Sequence, residues 1–316
     1  MSANAKILQQ PDERAAMSIN AQTDSVQLSA QGHGVRGKHH LTPTQLAAYH
    51  ENGYLSPLPA LGQELAQATL AKIEAYETQH GEFPSKGLKA HLYLPWMERV
   101  VRHSAILDAV ESVVGPDILC WSSRFFIKDP GDGGFVSWHQ DVTYWGLDVS
   151  ENILTAWIAL SPATRGNGVM KVIPGTHRKV VAHREGAASN MLLRGQEVAV
   201  DVDEAQAVYM ELQAGELSLH HGLMFHGSED NRSQERRVGF AVRYMPTRVK
   251  PLEGLPRDSA LLVRGTDCYG HFDPEPSPAR DLDPAAVEFH RKATATYAEI
   301  NRQAVKKHLA MMAAHS

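Results

Sequence analysis

The chain has 316 residues, of which 43% are hydrophobic and 21% charged, as in ordinary soluble globular proteins. Its net charge of −5 and its scattered basic residues exclude the strong positive field that nucleic-acid binding needs. Two cysteines, Cys120 and Cys268, are too few for a disulfide framework, which favours a reducing cytoplasm. Since the sequence has neither a bilayer-spanning apolar stretch nor a signal-peptide core, we expect a cytoplasmic protein with no membrane or nucleic-acid partner.

Composition along the chain predicts one domain that follows an N-terminal arm. Residues 1–40 are rich in Gln, Ser, Asn and Gly and show no sustained period, so we interpret them as a flexible arm. Residues 41–316 are predicted to form a single domain, because no repeat or low-complexity segment divides them. The domain is expected to contain a helical part at 41–115, a β-rich core at about 118–250 and a C-terminal helix at about 284–312.

The helices are predicted from their capping residues. Thr42 to Gln45 is a capping box with Pro43 at the first helical position, so a helix is predicted from Pro43 to Asn52, ended by Gly53. Further helices are predicted from about Leu61 to His80, from Ser104 as N-cap to Gly115, and from Asp283 as N-cap to about Met312.

From Ile118 onward, short runs rich in Val, Ile, Phe, Trp and Thr alternate with clusters of Gly, Pro, Asn and Asp. Many short strands with turn signals and no helices between them predict an antiparallel sandwich or barrel. The expected fold class is therefore mainly β with flanking helices. The predicted strands are Leu119–Lys128, Ile153–Leu160, Val169–Ile173, Ala207–Leu212, Leu217–Leu219 and Val238–Tyr244.

His139 and Asp141, in the run WHQD, form a candidate metal-binding pair, because residues i and i+2 of a strand point to the same face. The spacing alone is weak, since the composition gives about one such pair by chance, and His271 with Asp273 is a second. The first pair follows a Gly-rich loop in the β-rich region, whereas the second lies in a Pro-rich stretch typical of a surface loop. The alternative is that His139 is a core histidine bonded to a neighbour.

The third ligand is predicted to be His226, although His220 and His221 compete for the position. His226 is preferred because a turn and then a basic strand follow it. Two imidazoles and a carboxylate on one face of an octahedron leave three adjacent positions open, which is typical of non-haem iron(II) oxygenases. A 2-oxo acid can take two of these positions and O₂ the third. With zinc, the same residues could instead hydrolyse an ester or amide.

The basic strand carries Arg237, Gly239, Ala241 and Arg243 on one face. The two small residues between the arginines are expected to leave room for a ligand. A guanidinium there can bind a carboxylate through two parallel hydrogen bonds. A solvated arginine face is the alternative.

The chain contains five motif segments in a fixed order: FIKDPGDGG (Phe126–Gly134), WHQDVTYW (Trp138–Trp145), TAWIAL (Thr155–Leu160), GNGVMKVIPGTH (Gly166–His177) and HGSEDNRSQERR (His226–Arg237). Together they resemble the phytanoyl-CoA dioxygenase family of Fe(II)/2-oxoglutarate-dependent oxygenases. The resemblance extends from Leu41 to about Tyr244. It implies a double-stranded β-helix, the cupin-like jelly roll.

By position, the resemblance implies three catalytic iron ligands, His139, Asp141 and His226. It also implies a 2-oxoglutarate site, formed by Arg237, Ser228, Lys128 and Trp157. Without the resemblance, Lys128 is equally a surface lysine and Trp157 equally a core residue.

The resemblance further implies a dioxygenase that uses Fe(II), 2-oxoglutarate and O₂ to hydroxylate an unactivated C–H bond, with release of succinate and CO₂. Halogenating relatives carry a small residue in place of the metal-binding carboxylate, so Asp141 favours hydroxylation, desaturation or cyclisation over halogenation. A zinc-dependent hydrolase and a catalytically silent jelly-roll binding protein are the alternatives.

The substrate is expected to be a small metabolite, free or presented on a carrier, because no basic cluster suited to coenzyme A phosphates is present. Monomer and homodimer are both left open. The predicted substrate contacts are Phe135, Trp138, Tyr144, Trp145 and Arg243, with His91, Tyr93 and Trp96 as a lid.

Overall fold

The computed structural model describes residues 37–81, 83, 87–148, 153–185, 190–192 and 196–314, without the side chains of residues 144, 185, 196 and 306–314. The predicted arm thus lies outside the described residues except for residues 37–40. There the His39 N–H donates to Asp108 at 3.2 Å. No helix in the described ranges has both the length and the apolar character that crossing a membrane requires.

The helices agree with their capping signals except at one N-terminus. The hydroxyl of Thr42 accepts from the Gln45 N–H at 3.2 Å, and Gly53 ends the first helix in the left-handed conformation (φ 80°). The prediction of Ser104 as an N-cap is wrong, because Ser104 is already helical and His103 precedes it as the cap. The described helices are α1 (Pro43–Asn52), α2 (Gly62–His80), α3 (Pro95–Val101), α4 (Ser104–Val114) and α5 (Pro284–Ala314).

The β core consists of short strands, most of them paired antiparallel. The described strands are β1 (Tyr54–Pro59), β2 (Ile118–Lys128), β3 (Val136–His139), β4 (Leu154–Ala159), β5 (Met170–Val172), β6 (His183–Glu185), β7 (Gln196–Val198), β8 (Val208–Tyr209), β9 (Glu216–His221), β10 (His226–Ser228), β11 (Arg237–Pro246), β12 (Ser259–Arg264) and β13 (Asp273–Pro274). Within the described residues, a seven-stranded sheet runs β1-β9-β4-β11-β2-β12-β13, a four-stranded sheet runs β3-β10-β5-β8, and β6 pairs with β7. The predicted jelly roll is confirmed.

The two faces of the large sheet differ in chemistry, because side chains alternate along each strand. On β11, Val238, Phe240 and Val242 are fully buried in the main hydrophobic cluster, which they share with residues of α3 and α4. The opposite face of β11 carries Arg237 and Arg243 and is turned toward the small sheet. That inner face is where the polar residues of neighbouring strands come together.

A buried ion network ties the chain near α3 to the segment that ends at β13. The Lys89 ammonium donates to Glu275 Oε1 and to the Ser259 carbonyl oxygen, both at 2.6 Å. His91 Nε2 lies 2.9 Å from Glu275 Oε2, and all three ionisable side chains are 0% exposed. Burial alone would raise the pKa of Glu275, but Lys89 and His91 lower it to about 2. The carboxylate is therefore held ionised by its neighbours.

Candidate active site

His139, Asp141 and His226 converge where the small sheet meets the loop after β3. Their ligand atoms all lie within 4.8 Å of one another, and all three residues are buried. His139 ends β3 and pairs directly with His226 at the start of β10. The sequence pattern predicted that Asp141 lies on the same strand as His139, and this is wrong. Asp141 instead begins a 3₁₀ turn at Asp141–Tyr144. The turn still directs its carboxylate to the histidines, with Oδ1 3.5 Å from His139 Nε2 and 4.0 Å from His226 Nε2.

Hydrogen bonds around the three residues fix the groups that face a metal. Each ligand histidine places Nδ1 near a carbonyl oxygen, at 2.9 Å from Ser137 for His139 and at 3.0 Å from Met224 for His226. A carbonyl only accepts, so each Nδ1 carries a proton, and Nε2 is the ring nitrogen that faces the other two residues. Burial lowers the pKa of His226 well below its ordinary value, which keeps that imidazole neutral.

Asp141 completes the candidate metal-binding set as an ionised carboxylate. Burial alone would raise its pKa, but Arg243 and the surrounding histidines hold the pKa of Asp141 well below the ordinary value. The hydroxyl of Thr155, on β4, donates to Asp141 Oδ2 at 2.9 Å. Oδ1 is therefore left to face the histidines. Two imidazoles that present Nε2 and one oriented carboxylate fit a divalent transition-metal ion.

His220 is a fourth histidine beside this set. It is buried on β9, with Nε2 3.9 Å from Asp141 Oδ2 and its ring centroid 4.6 Å from that of His226. Neither of its ring nitrogens has a hydrogen-bond partner among the described residues. His220 competed with His226 in the sequence, and the structure places it near the centre but outside the group of three.

A cavity of about 380 Å³, here called the inner cavity, extends from the three residues into the space between the sheets. Arg237 lines it together with Thr155, Trp157, His220 and Ser228. The inner cavity thus has metal-binding groups and a guanidinium along one continuous wall.

Arg237 is a buried cation without a carboxylate partner. It is 2% exposed, donates to the carbonyl oxygens of Gly168 and Phe126, and has no ion pair among the described residues. Its Nε is also unpartnered there. A buried guanidinium in this state favours an anionic ligand.

The sequence suggested that Gly239 leaves room for a ligand, but the structure shows that this space is filled. A Cβ at Gly239 would lie 1.9 Å from Cζ2 of Trp157, so the indole occupies that space. Arg237 lies over the same indole, 5.3 Å from its centroid. The glycine therefore allows Trp157 to support the arginine from one side.

Lys128 and Ser228 are joined at the edge of the inner cavity. The Lys128 ammonium donates to Ser228 Oγ at 2.8 Å and to the carbonyl oxygen of Glu229. Burial, with Arg237 nearby, lowers the pKa of Lys128 to about 7. Ser228 lines the cavity, whereas Lys128 is a buried residue that holds it.

A second cavity, of about 660 Å³ and here called the outer cavity, meets the inner one at the metal-binding residues. Both are lined by His139, Asp141, Phe126 and Arg243. The remaining wall of the outer cavity is largely aromatic and polar, with Trp121, Ser122, Arg124, Trp145, Tyr297 and Asn301 among its residues.

The predicted substrate residues separate into two groups. Trp145 and Arg243 line the outer cavity. Phe135 and Trp138 line a separate groove with Lys171, and the Trp138 indole donates to Glu204 at 3.0 Å. The reason is strand alternation, since Trp138 precedes His139 on β3 and points to the other face. The side chain of Tyr144 lies outside the described ones.

The predicted lid is wrong, because its three residues are interior. His91 belongs to the buried ion network, and Tyr93 and Trp96 are 5% and 6% exposed within the main hydrophobic cluster. The sequence also gave no signal for Arg124 on β2 or Tyr297 on α5 as cavity residues. Only the strand pairing and the return of α5 bring them to the site.

A metal-binding set of two histidines and one aspartate inside a double-stranded β-helix is typical of non-haem iron oxygenases. Sequence comparison gives the family: the phytanoyl-CoA dioxygenase family matches residues 49–239, more than half of the chain. The protein belongs to this family, as its motifs predicted.

Individual relatives are similar at moderate identity. The chain is 31% identical over 169 residues to a probable alpha-ketoglutarate-dependent hypophosphite dioxygenase of Stutzerimonas stutzeri, covering 52% of this chain and 58% of that one. It is 30% identical over 148 residues to the peroxisomal phytanoyl-CoA dioxygenase of Homo sapiens, covering 44% and 43%. The chain thus spans about half the length of these curated relatives.

Among solved structures, the apo form of the non-haem monooxygenase ThoJ is 37% identical, with a TM-score of 0.74, and covers 83% of this chain and 99% of its own. ThoJ has also been solved as a nickel complex. The predicted cosubstrate, 2-oxoglutarate, agrees with the name of the hypophosphite dioxygenase, and the predicted iron(II) agrees with the three residues found here that could hold a metal ion.

Proposed function

We propose that the protein is an iron(II)- and 2-oxoglutarate-dependent dioxygenase that oxidises a C–H bond of a small molecule. One observation carries the proposal: the inner cavity connects the three metal-binding residues with Arg237, a buried cation that lacks an anionic partner in the described residues. A keto diacid has one end that chelates a metal and another that can pair with this guanidinium.

In this function His139, Asp141 and His226 hold the iron, and Thr155 orients the carboxylate of Asp141. Arg237 binds the far carboxylate of 2-oxoglutarate, with Trp157 behind it. When bound, iron(II), 2-oxoglutarate and O₂ supply an oxidative decarboxylation to succinate and CO₂, coupled to attack on a C–H bond.

The remaining contribution of the chain is position and shielding. The inner cavity is lined mostly by buried side chains, so the bound cosubstrate would be largely shielded from bulk water. The outer cavity opens onto the same metal-binding residues and is where the C–H bond is placed. Because Asp141 already occupies a metal position, we infer hydroxylation or a related oxidation and not halogenation. The substrate is not assigned by the relatives, whose names cover hypophosphite and phytanoyl-CoA.

Replacement of Asp141 by alanine is expected to lower succinate formation from 2-oxoglutarate by more than about 100-fold. Outer-shell changes alone typically cost about 10–100-fold in metal affinity or activity, and loss of a ligand removes more. Thr155→Val is the matched control, because it removes only the hydrogen bond to Asp141 and should fall within that smaller range. Succinate and CO₂ are measured with iron(II), ascorbate and O₂.

The same assay separates the alternatives. A zinc hydrolase needs neither O₂ nor a keto acid, and a silent binding protein forms no succinate with any metal. Wild-type protein that binds iron but forms no succinate, with or without a panel of candidate metabolites, would overturn the proposed function.

A further inference from the structure

Two buried arginines from neighbouring strands meet in the outer cavity. Arg124 on β2 lies opposite Ala241 on β11, and Arg243 on β11 lies opposite Ser122 on β2. Strand alternation therefore directs Ser122, Arg124 and Arg243 to the same face, and all three line the cavity.

These residues carry polar groups that no described residue of the protein satisfies. Nε of Arg124, Nε and Nη1 of Arg243, and the hydroxyl of Ser122 are buried without a hydrogen-bond partner among the described residues. Within the described residues, the one hydrogen bond of the Arg124 guanidinium is the one that Nη2 donates to the Met191 carbonyl oxygen at 3.0 Å. Buried donors of this kind are costly unless a ligand accepts from them.

The aromatic wall fixes the two guanidinium groups in place. Phe126 contacts both of them, with its ring centroid 5.0 Å from Cζ of Arg124 and 5.8 Å from Cζ of Arg243. Arg243 is also 5.8 Å from the ring centroid of Trp145. Stacking of this kind holds guanidinium groups in a defined orientation, ready for a planar or tetrahedral anion.

Charge in the cavity points to an anion as well. Asp141 is the only acidic residue in the described lining of the outer cavity, and its Oδ1 lies 3.9 Å from Nη2 of Arg243. Once iron(II) and 2-oxoglutarate are bound, the charges of the iron and Arg237 offset those of Asp141 and the two cosubstrate carboxylates. The two arginines of the outer cavity then remain uncompensated in a buried place, which is unfavourable without an anionic ligand.

We propose that the outer cavity binds its substrate through an oxyanion, a carboxylate or a phosphorus oxyanion, which accepts hydrogen bonds from Arg124, Arg243 and Ser122. The substrate body then packs on Trp121, Trp145 and Tyr297, with its reactive C–H bond toward the metal-binding residues. That this ligand is the substrate rests on the proposed function, whereas binding of an oxyanion in the outer cavity does not.

The test is calorimetric titration of the protein loaded with nickel(II) and 2-oxoglutarate, in which no turnover occurs. The probes are phenylacetate and phenylphosphonate, with neutral phenylacetamide as the matched control. We expect the preferred anion to bind at least about 10-fold more tightly than the amide, because charge-assisted bonds to arginine are lost with the neutral probe. The stronger of the two anions identifies the oxyanion class.

Arg124→Met and Arg243→Met are each expected to weaken binding of that anion by at least about 10-fold. Arg291→Met, which removes an exposed charge on α5, should leave it unchanged. Equal binding of anion and amide, no anion binding below about 10 mM, or unchanged affinity in Arg124→Met would overturn the inference. If Arg124→Met does not fold, Arg124→Lys replaces it, because lysine keeps the charge but lacks the paired N–H donors of the guanidinium. Unchanged anion affinity in Arg124→Lys would overturn the inference equally.

Uptake of 2-oxoglutarate is measured before any probe is added, so the two proposals fail separately. If 2-oxoglutarate does not bind, the proposed function fails. The probe titration is then repeated on Arg237→Met protein without nickel(II) or 2-oxoglutarate. This variant lacks the guanidinium of the inner cavity, which could otherwise bind the probe. If Arg124→Met weakens binding of the anionic probe in this protein, the oxyanion site is supported, and if it does not, the oxyanion site is overturned.

Discussion

Replacing Arg237 by methionine is expected to raise the KM for 2-oxoglutarate by about 30-fold or more. Removing one partner of a buried, hydrogen-bonded charge pair costs about 2–5 kcal/mol, and each 1.4 kcal/mol corresponds to a factor of about ten in affinity. The guanidinium is 2% exposed, so water cannot replace it as the partner of the carboxylate. Succinate formation at increasing 2-oxoglutarate concentration measures the effect.

Arg236 provides the matched control for this experiment. It precedes Arg237, and its guanidinium forms two hydrogen bonds of 2.7 Å with Glu77 on α2. Arg236→Met therefore removes the same charge from the adjacent position without touching the inner cavity. Its KM for 2-oxoglutarate should stay close to that of the wild type. An equal rise in both variants would mean that charge in general, and not the position of Arg237, governs cosubstrate binding.

The second large effect concerns stability. Lys89→Met is expected to lower the free energy of unfolding by about 3–5 kcal/mol, because it leaves the Glu275 carboxylate buried without its principal cation. The lysine and the glutamate are both 0% exposed and their charged atoms are 2.6 Å apart. Urea unfolding followed by circular dichroism measures the difference.

Two further variants show whether the charge itself is responsible. Lys89→Met combined with Glu275→Gln should recover part of the loss, since the charge of Glu275 is removed together with its cation. The recovery is partial because buried Asp258, whose Oδ1 lies 3.6 Å from Lys89 Nζ, still loses that cation. Arg291→Met breaks a pair with Glu288 on the surface of α5 and should change stability very little. A Lys89→Met variant that is as stable as the wild type would contradict the structural role of the network.

Local signals in the sequence were sufficient for the family, the fold class and the approximate bounds of four of the five described helices, but α3 was not predicted. Capping residues act within one turn, which is why the first helix was predicted from Thr42 to Gly53 as it is observed. The long strands β2, β4 and β11 were also found, since each is a run of apolar and β-branched residues bounded by turn-forming residues. Short strands such as β10 and β13 have only two or three residues and carry no periodic signal.

Site residues that depend on strand pairing could not be found from the sequence. Arg124 reaches the cavity because β2 pairs with β11 in a register that sets it opposite Ala241. Tyr297 reaches it because α5 returns to the sheet and packs on Trp121, with ring centroids 5.5 Å apart. Trp138 shows the converse, since its closeness to His139 in sequence places it on the opposite face of the strand.

The central claim is that His139, Asp141 and His226 hold one ferrous ion at which 2-oxoglutarate chelates. Anaerobic addition of iron(II) and then 2-oxoglutarate should produce a weak visible charge-transfer band in the wild type. The band should be absent in His226→Ala protein whose circular dichroism spectrum is unchanged. A wild-type protein that shows no band at saturating iron(II) and 2-oxoglutarate, or a His226→Ala variant that keeps it in full, would contradict the account.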